Sequence, residues 1–400
     1  MNIILLTLSN FNSFSEHGLY CDLLREIIKN GHEVYCISPA EKRTGVETHF
    51  EENGHLLRLK IGNTQKTNLI EKGVSTLLIE YQFISAIKNY FSDIKFDLVL
   101  YSTPPITLVS AIKYIKNRDG AKTYLLLKDI FPQNAVDIGM MSKKGIKGRV
   151  YKYFRKKEKK LYELSDRIGC MSRANVDYVL MHNTNINPEK VEICPNGIEV
   201  QDVRLTKQEC RAMRDKYGIP KDKVVLVYGG NLGKPQGISF LIECLKTQLK
   251  NENVYYLIVG DGTEFNRLQE FFLEKTPNNM KLMKRLPKEE YDKMIASCDV
   301  GLIFLDHRFT IPNFPSRILS YMQAGLPILA CTDTNTDIGE IIVEGEFGLW
   351  CESNDVKNFN ECVNKISVNP CVYGERGYRY LINHYHVNKV CRIILDFINR

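Results

Sequence analysis

A chain of 400 residues exceeds the size at which one hydrophobic core stops growing, so two domains are expected. With 44% hydrophobic and 25% charged residues and no low-complexity tract, the composition excludes a disordered or fibrous protein. The opening MNIILLTLSN lacks a basic n-region, no run of about 18 apolar residues occurs, and the cysteines form no C-x-x-C pair, so a cytoplasmic protein with reduced core cysteines is expected.

The first half alternates apolar runs with amphipathic stretches: NIILLTL, the helical LYCDLLREIIKN, EVYCIS, FDLVLYS, a helix from Ile106, and TYLLL. Strand-length apolar runs separated by helices predict a parallel, doubly wound sheet and an α/β fold. Two loops fall where such a sheet exposes its strand ends. FSEHG follows the first strand; His17 is a candidate contact there, and Gly18 would let a phosphate approach the backbone. KDIFPQN follows TYLLL. In it Asp129 is a candidate to orient or deprotonate a hydroxyl while Lys128 offsets developing negative charge; a structural ion pair between the two is the plain alternative.

Residues 143–160 hold ten Lys or Arg against one acidic residue, Glu158, which gives the segment a charge of +9 and leaves −2 for the rest of the chain. Val150, Tyr151, Tyr153 and Phe154 interleave with the cations. Such a helix lies on an anionic membrane face, where each cation contributes about 1 kcal/mol, or it is a solvated helix face. No nucleic-acid motif accompanies the patch, so nucleic acid is not an expected partner.

The rhythm pauses at VEICPNGIEV, where Pro195, Asn196 and Gly197 make a turn, and resumes with KVVLVYGG after a polar helix near Thr206 to Tyr217. The expected units are 1–200, 201–382 and a C-terminal helix, 383–400, whose apolar stripe Val390, Ile393, Ile394 and Phe397 needs a surface to cover. In the second unit the turn Gly229 to Gly237 joins a strand to the helix ISFLIECLKTQL. That is the order in which backbone N–H groups and a helix N-terminus receive a diphosphate. Gly230 would let phosphates near the backbone, Lys234 adds a charge, and Asn231 and Gln236 can donate hydrogen bonds.

After the strand VGLIFL, Ser316 is expected to cap a helix on which Arg317 and Ser320, three apart, face one pocket. Asp261, at the end of YYLIVGDG, and the loop Arg285-Leu286-Pro287 would line the same crevice and contact a base, or serve as plain turns. The histidines show no metal-ligand spacing and no D-x-D pair stands near a strand end, so no metal or other cofactor is expected.

Taken together, GHEVYCISP, LSDRIGCMS, CPNGIE, GGNLGKPQG, VGDG, CDVGLIFL and PSRILSYMQAGLPILA resemble the retaining, metal-independent glycosyltransferases of family 4, which have the GT-B fold of two facing Rossmann-like domains. The resemblance spans nearly the whole chain. KDIFPQNAVDIG, with STPP before it, looks closest to the WbuB-like bacterial branch that builds capsular and O-antigen repeat units. The resemblance implies transfer of a sugar, in this branch an N-acetylated or 6-deoxy amino sugar, from a UDP-sugar to a lipid-linked saccharide acceptor. It also implies an acceptor-binding first unit, a nucleotide-sugar-binding second unit, a C-terminal helix that returns to the first, and peripheral attachment of the basic helix to the inner face of the cell membrane.

Departures from the family pattern fall on the donor site. Family members commonly carry Arg at the position of Asn231 and Lys at that of Gln236, both touching the donor diphosphate, and a pair of glutamates at the positions of Pro312 and Ser320. Here Lys234 and Arg317 would supply the charge instead. Two other readings stay open: a UDP-sugar 2-epimerase of the same architecture, and, with both glutamates missing, a homologue that binds nucleotide sugars without turnover.

Overall fold

A computed structural model describes residues 1–64 and 67–399, with the backbone alone at residues 69, 70 and 72. The chain divides into two compact units, Met1–Glu199 with Val387–Arg400, and Val200–His386. Arg400, the last position of the expected 383–400 segment, lies outside the described residues.

The sheet of the first unit holds β1 (Asn2–Leu6), β2 (Glu33–Glu41), β3 (His49–Glu51), β4 (Leu56–Ile61), β5 (Leu98–Ser102), β6 (Lys122–Leu127), β7 (Arg167–Cys170) and β8 (Val191–Ile193). Their order is β3-β4-β2-β1-β5-β6-β7-β8, parallel throughout except where β3 runs against β4. Every residue of β5 and all but the first of β1 are buried, because helices cover both faces; this is why these strands read as unbroken apolar runs.

On one of those faces lie the first helix, Leu19–Lys29, and the last, Val387–Asn399, which share a core with Leu5, Leu98 and Leu100. The Val387 N–H donates to the Ile198 carbonyl at 2.9 Å, so the last helix is tied to the end of the first unit's main segment. The stripe seen in the sequence is thus covered, with Val390 and Ile394 buried and Ile393 and Phe397 partly so. Ile394 is fully buried. Ile394→Ala should therefore cost about 2–5 kcal/mol, the lost transfer energy plus the cavity left behind, readable as a lower urea midpoint with an unchanged slope.

In the second unit the polar helix spans Lys207–Tyr217, and Thr206 caps it in a reciprocal box with Glu209. Its sheet holds β9 (Val224–Asn231), β10 (Val254–Asp261), β11 (Met280–Lys284), β12 (Val300–Phe304), β13 (Ile328–Thr332) and β14 (Gly348–Glu352). The order is β11-β10-β9-β12-β13-β14, all parallel. Both units are therefore doubly wound α/β sheets. The cysteines are free, and all but Cys210 and Cys371 are buried.

Candidate active site

In the second unit the strand order reverses between β9 and β12. In an open α/β sheet the loops leaving the carboxyl ends of two such strands diverge and form a crevice. The loop after β9 carries the glycine turn and the loop after β12 leads to Arg317, so the two sequence features meet here. The Asp306 N–H donates to the Pro235 carbonyl at 3.0 Å, joining the loops directly.

Arg317 opens the helix Arg317–Gln323 and reaches back across the crevice. Its Nη2 donates to Gln236 Oε1 at 2.6 Å, and the guanidinium stacks on the Tyr228 ring, 4.5 Å from its centroid. Nη1 is buried with no hydrogen-bond partner. A guanidinium is a rigid fork of donors suited to phosphate, and a buried donor left unmet is costly until an acceptor arrives. Gly230 lies against this fork with φ +116°, a backbone conformation glycine tolerates and L side chains rarely adopt.

The turn is fixed from beneath by two tyrosines that sequence reasoning missed. A Cβ on Gly229 would overlap the Tyr291 hydroxyl, so glycine is required there by packing, quite apart from any ligand. The Tyr321 hydroxyl accepts the Gly229 N–H at 3.1 Å and stands 3.2 Å from the Leu302 carbonyl; burial pushes its ionisation up to about 12, so it remains a donor at neutral pH. Tyr321 follows Arg317 by four residues on one helix face, a spacing that could have flagged it. Tyr291, on the helix Lys288–Ala296, left no comparable signal.

The other candidates of this unit fall nearby with different roles. Ser316 occupies the N-cap position, but its side chain makes no capping bond: its φ of −61° and ψ of −17° are already helical, whereas a capping side chain springs from extended backbone. Ser320 is half-buried, one turn beyond Arg317. Gln236 accepts from Arg317 through its carbonyl oxygen, which leaves its amide N–H groups as donors. Gly230, Asn231 and Lys234 are exposed. Asp261 pairs in register with Asn231, so the two share the crevice edge, and its Oδ1 accepts the Gly262 N–H at 2.9 Å. Arg285, exposed, and Leu286, half-buried, leave the neighbouring strand β11.

The first unit has its own reversal, between β1 and β5. Thr7 and Ser102 face each other across it at 3.3 Å. The Thr103 hydroxyl accepts the Lys128 N–H and donates to the Asp129 carbonyl, each at 3.0 Å, and so staples the loop after β5 to the loop after β6.

The alternative of a Lys128–Asp129 ion pair is not realised, because consecutive residues leaving a strand point to opposite sides. Lys128 Nζ donates to the Cys194 carbonyl at 3.3 Å and borders a small, partly open cleft with room for about one water. Asp129 instead accepts two bonds from Asn134 Nδ2, at 2.8 and 2.9 Å. Burial pushes the Asp129 carboxyl up to about 6, against the lowering effect of Asn134 and the Ile130 N–H, and the negative charge of Glu158 adds to the rise.

Gly18 precedes the first helix, its N–H donating to Asp22 Oδ1 at 3.1 Å. His17 is exposed, with Nδ1 3.5 Å from Arg25 Nη2. His17, Asp22 and Glu199 cluster closely enough to suggest a metal site, but Arg25 already pairs with both carboxylates, at 2.7 and 2.9 Å.

The basic helix spans Gly145–Leu164, so Lys143 and Lys144 precede it. Two of its cations are committed inward: Arg155 to the buried Glu158 at 2.5 Å and Lys157 to Glu80 at 2.6 Å. Lys152 and Lys156 point to solvent, and so do the apolar Val150, Tyr153 and Ile146, the last 83% exposed. Phe154 packs its ring on Phe131, 5.1 Å away, in the loop that carries Asp129. Among the described residues no helix is long and apolar enough to cross a membrane.

Known proteins match the chain along both of its units. Residues 210–379 match the family model described as glycosyl transferases group 1, and residues 20–202 match that of glycosyltransferase family 4. The "probable glycosyltransferase WbjE" of Pseudomonas aeruginosa is 27% identical over 298 residues, 74% of this chain and 72% of the relative. A Campylobacter jejuni enzyme is 26% identical over 195 residues, 48% of each chain; its name is N-acetylgalactosamine-N,N'-diacetylbacillosaminyl-diphospho-undecaprenol 4-alpha-N-acetylgalactosaminyltransferase. Anabaena HepE, solved in complex with UDP and glucose, shares the fold with a TM-score of 0.70 at 14% identity, covering 100% of this chain and 99% of HepE.

Proposed function

We propose that this chain, which belongs to the group 1 and family 4 glycosyltransferases of the GT-B fold, transfers a sugar with retention from a UDP-sugar to a lipid-linked saccharide acceptor. In this reading it works in the assembly of capsular or O-antigen repeat units, as the WbuB-like branch does. The observation that carries the reading is the Arg317 guanidinium, stacked on Tyr228, held by Gln236 and left with an unmet buried donor beside the glycine turn.

A departing nucleoside diphosphate gains negative charge in the transition state, and preorganised donors favour that state over the bound substrate. The family pattern that the sequence resembles has a lysine at the position of Gln236. Here the glutamine carbonyl draws in Arg317, so a cation returns to the site by another route. Lys234 and the first N–H groups of the helix Ile238–Thr247 would complete the diphosphate's partners, without a resident metal or other cofactor. Asn231 is a proposed diphosphate contact and Asp261, Arg285 and Leu286 are the proposed nucleoside contacts, with Ser316 and Ser320 beside the ribose and diphosphate. His17 and Gly18 would meet the leaving phosphate, and Asp129 would orient or deprotonate the acceptor hydroxyl.

The Campylobacter relative acts, by its name, on a diphospho-undecaprenol acceptor, which supports a lipid-linked acceptor here. The exposed cations and apolar side chains of the basic helix fit an anionic membrane surface. Lys152→Glu with Lys156→Glu should weaken cosedimentation with phosphatidylglycerol liposomes by about tenfold or more, at about 1 kcal/mol per cation. Unchanged cosedimentation would remove the membrane role. Lys157 is unsuited to this test because it pairs with Glu80.

The transfer itself is tested by a panel of UDP-sugars. The right donor at about 100 times its Kd should raise stability by about 2.7 kcal/mol, with UDP released only when a saccharide acceptor is present. A UDP-sugar altered without acceptor would indicate an epimerase. Binding without turnover on any acceptor would indicate a nucleotide-sugar-binding protein.

A further inference from the structure

The helix Leu69–Tyr90 has two opposite sides with different fates. On one, Ser75, Ile79 and Phe83 are buried, and Ile79 and Phe83 join the core of the first unit. On the other, Val74, Leu77, Leu78 and Tyr81 recur at the three- and four-residue spacing of one helix face and stand between 48% and 70% exposed. Ser85 and Lys88 continue that side beyond Tyr81, so its apolar character is confined to the first half of the helix. A helix apolar on opposite sides is normally covered on both. Here the outer side faces solvent.

Its neighbour is the basic helix. Glu80 accepts from Lys157 Nζ and from the Ser110 N–H, each at 2.6 Å. Ile146, Val150 and Tyr153 precede Lys157 at helical spacing, on its face of the basic helix, and all three are exposed. The two helices lead into β5 and β7, parallel strands of one sheet, and pack on the same core through Phe83 and Leu161. They therefore run alike, and their first halves stand at the carboxyl edge of the sheet, where Phe131 of the Asp129 loop meets Phe154. The two apolar stripes adjoin across the Lys157–Glu80 pair, and the exposed Lys147, Arg149, Lys152 and Lys156 flank them. Apolar side chains rimmed by cations match the two layers of an anionic bilayer, whereas a second copy of this chain would bring like charges together.

We propose that Val74, Leu77, Leu78 and Tyr81 are a membrane-insertion face, which enters the acyl boundary of an anionic phospholipid bilayer while the cations of the basic helix hold its headgroups. The inference rests on the membrane reading of the basic helix and adds to it a second helix and a salt-resistant, apolar contribution. Insertion at this edge would set the Asp129 loop at headgroup level, where a lipid-linked acceptor presents its saccharide.

Flotation of the full chain with phosphatidylglycerol vesicles separates the two contributions, because salt screens charge and leaves apolar burial in place. The unsubstituted chain should keep a bound fraction at about 1 M sodium chloride, where the screening length falls to about 3 Å. Leu77→Ser with Leu78→Ser should lower partitioning at that salt by about tenfold or more, while the cations keep much of the binding at low salt. Both leucines are exposed, so this variant should melt with the unsubstituted protein. Leu78→Trp reports depth: lipids brominated on their acyl chains should quench the introduced indole. The unsubstituted chain, whose one tryptophan is Trp350, is the reference.

Binding that high salt abolishes, without acyl-chain quenching, would overturn insertion and leave the basic helix as an electrostatic contact alone. So would a serine variant that floats at high salt as the unsubstituted chain does. A dimer that the two serine substitutions convert to monomer, seen by sedimentation velocity, would give the face to a second copy and overturn the inference as well. No binding to these vesicles at any salt would remove the membrane reading and the insertion face together.

Discussion

Arg317→Ala should lower turnover by about tenfold to a thousandfold, the scale of losing one or two preorganised charged donors at a developing oxyanion. The guanidinium is positioned by groups that do not react: the Tyr228 ring on its face and Gln236 Oε1 on Nη2. Its remaining buried donor, Nη1, is the one a diphosphate oxygen can satisfy. Because charge on the leaving group grows during bond cleavage, the loss should fall mainly on kcat, with a smaller rise in KM for the UDP-sugar. Arg317→Lys keeps the charge but not the planar fork, and should recover only part of the rate. Gln236→Ala should act in the same direction and more weakly, by freeing the arginine it holds. Steady-state kinetics on the three variants, with thermal melts to confirm folding, checks this. Turnover within about twofold of the unsubstituted protein in Arg317→Ala would remove the diphosphate from this crevice.

Much of this crevice was legible because its parts are local. A buried strand, a glycine turn and a helix in that order announce themselves over about 20 residues, and so does the run from Val300 to Pro327. Their meeting is another matter. Gln236 and Arg317 are 81 residues apart, and their contact follows from the order β9-β12 in the sheet, which no local period encodes. Tyr291 was illegible for the same reason. Tyr291 reaches Gly229 from a helix that follows a strand two places away, so only the assembled sheet shows that Gly229 answers to packing.

Lys128 and Asp129 show the converse limit. Adjacent opposite charges suggested a pair, but the alternation of side chains at a strand end sends one to Cys194 and the other to Asn134. Ser316 misled through its residue type: a helix-capping serine needs extended backbone, and here the backbone has already turned. The departures from the family pattern at Asn231 and Gln236 were plain in the sequence. So was Arg317 as an expected substitute cation; its bond to Gln236 was not, since it depends on the direction of one side chain.

Asp129→Asn should move function and stability in opposite directions. If the carboxylate orients or deprotonates the acceptor hydroxyl, its loss costs about 10²–10⁴-fold in turnover. The unsubstituted enzyme should gain activity as pH rises through about 6, where Asp129 ionises, and the variant should lose that limb. Stability has the reverse sign. The folded carboxyl titrates near 6 and an unfolded one near the ordinary 3.8, so between those values the folded state binds the extra proton and stability falls as pH rises. Above about 6 the full penalty of a buried, ionised Asp129 is present. Asparagine removes it, so the variant should be the more stable protein at pH 7, by about 1–2 kcal/mol once partial solvent access and one lost acceptor for Asn134 are discounted. Below about pH 4, where both forms of Asp129 are protonated, the advantage should vanish. Urea unfolding of the two proteins at pH 4, 5 and 7, set beside their pH-rate profiles, checks both halves. An unchanged acid limb would take Asp129 out of the chemistry, whereas an unchanged stability difference across that range would mean that its carboxyl titrates at an ordinary value.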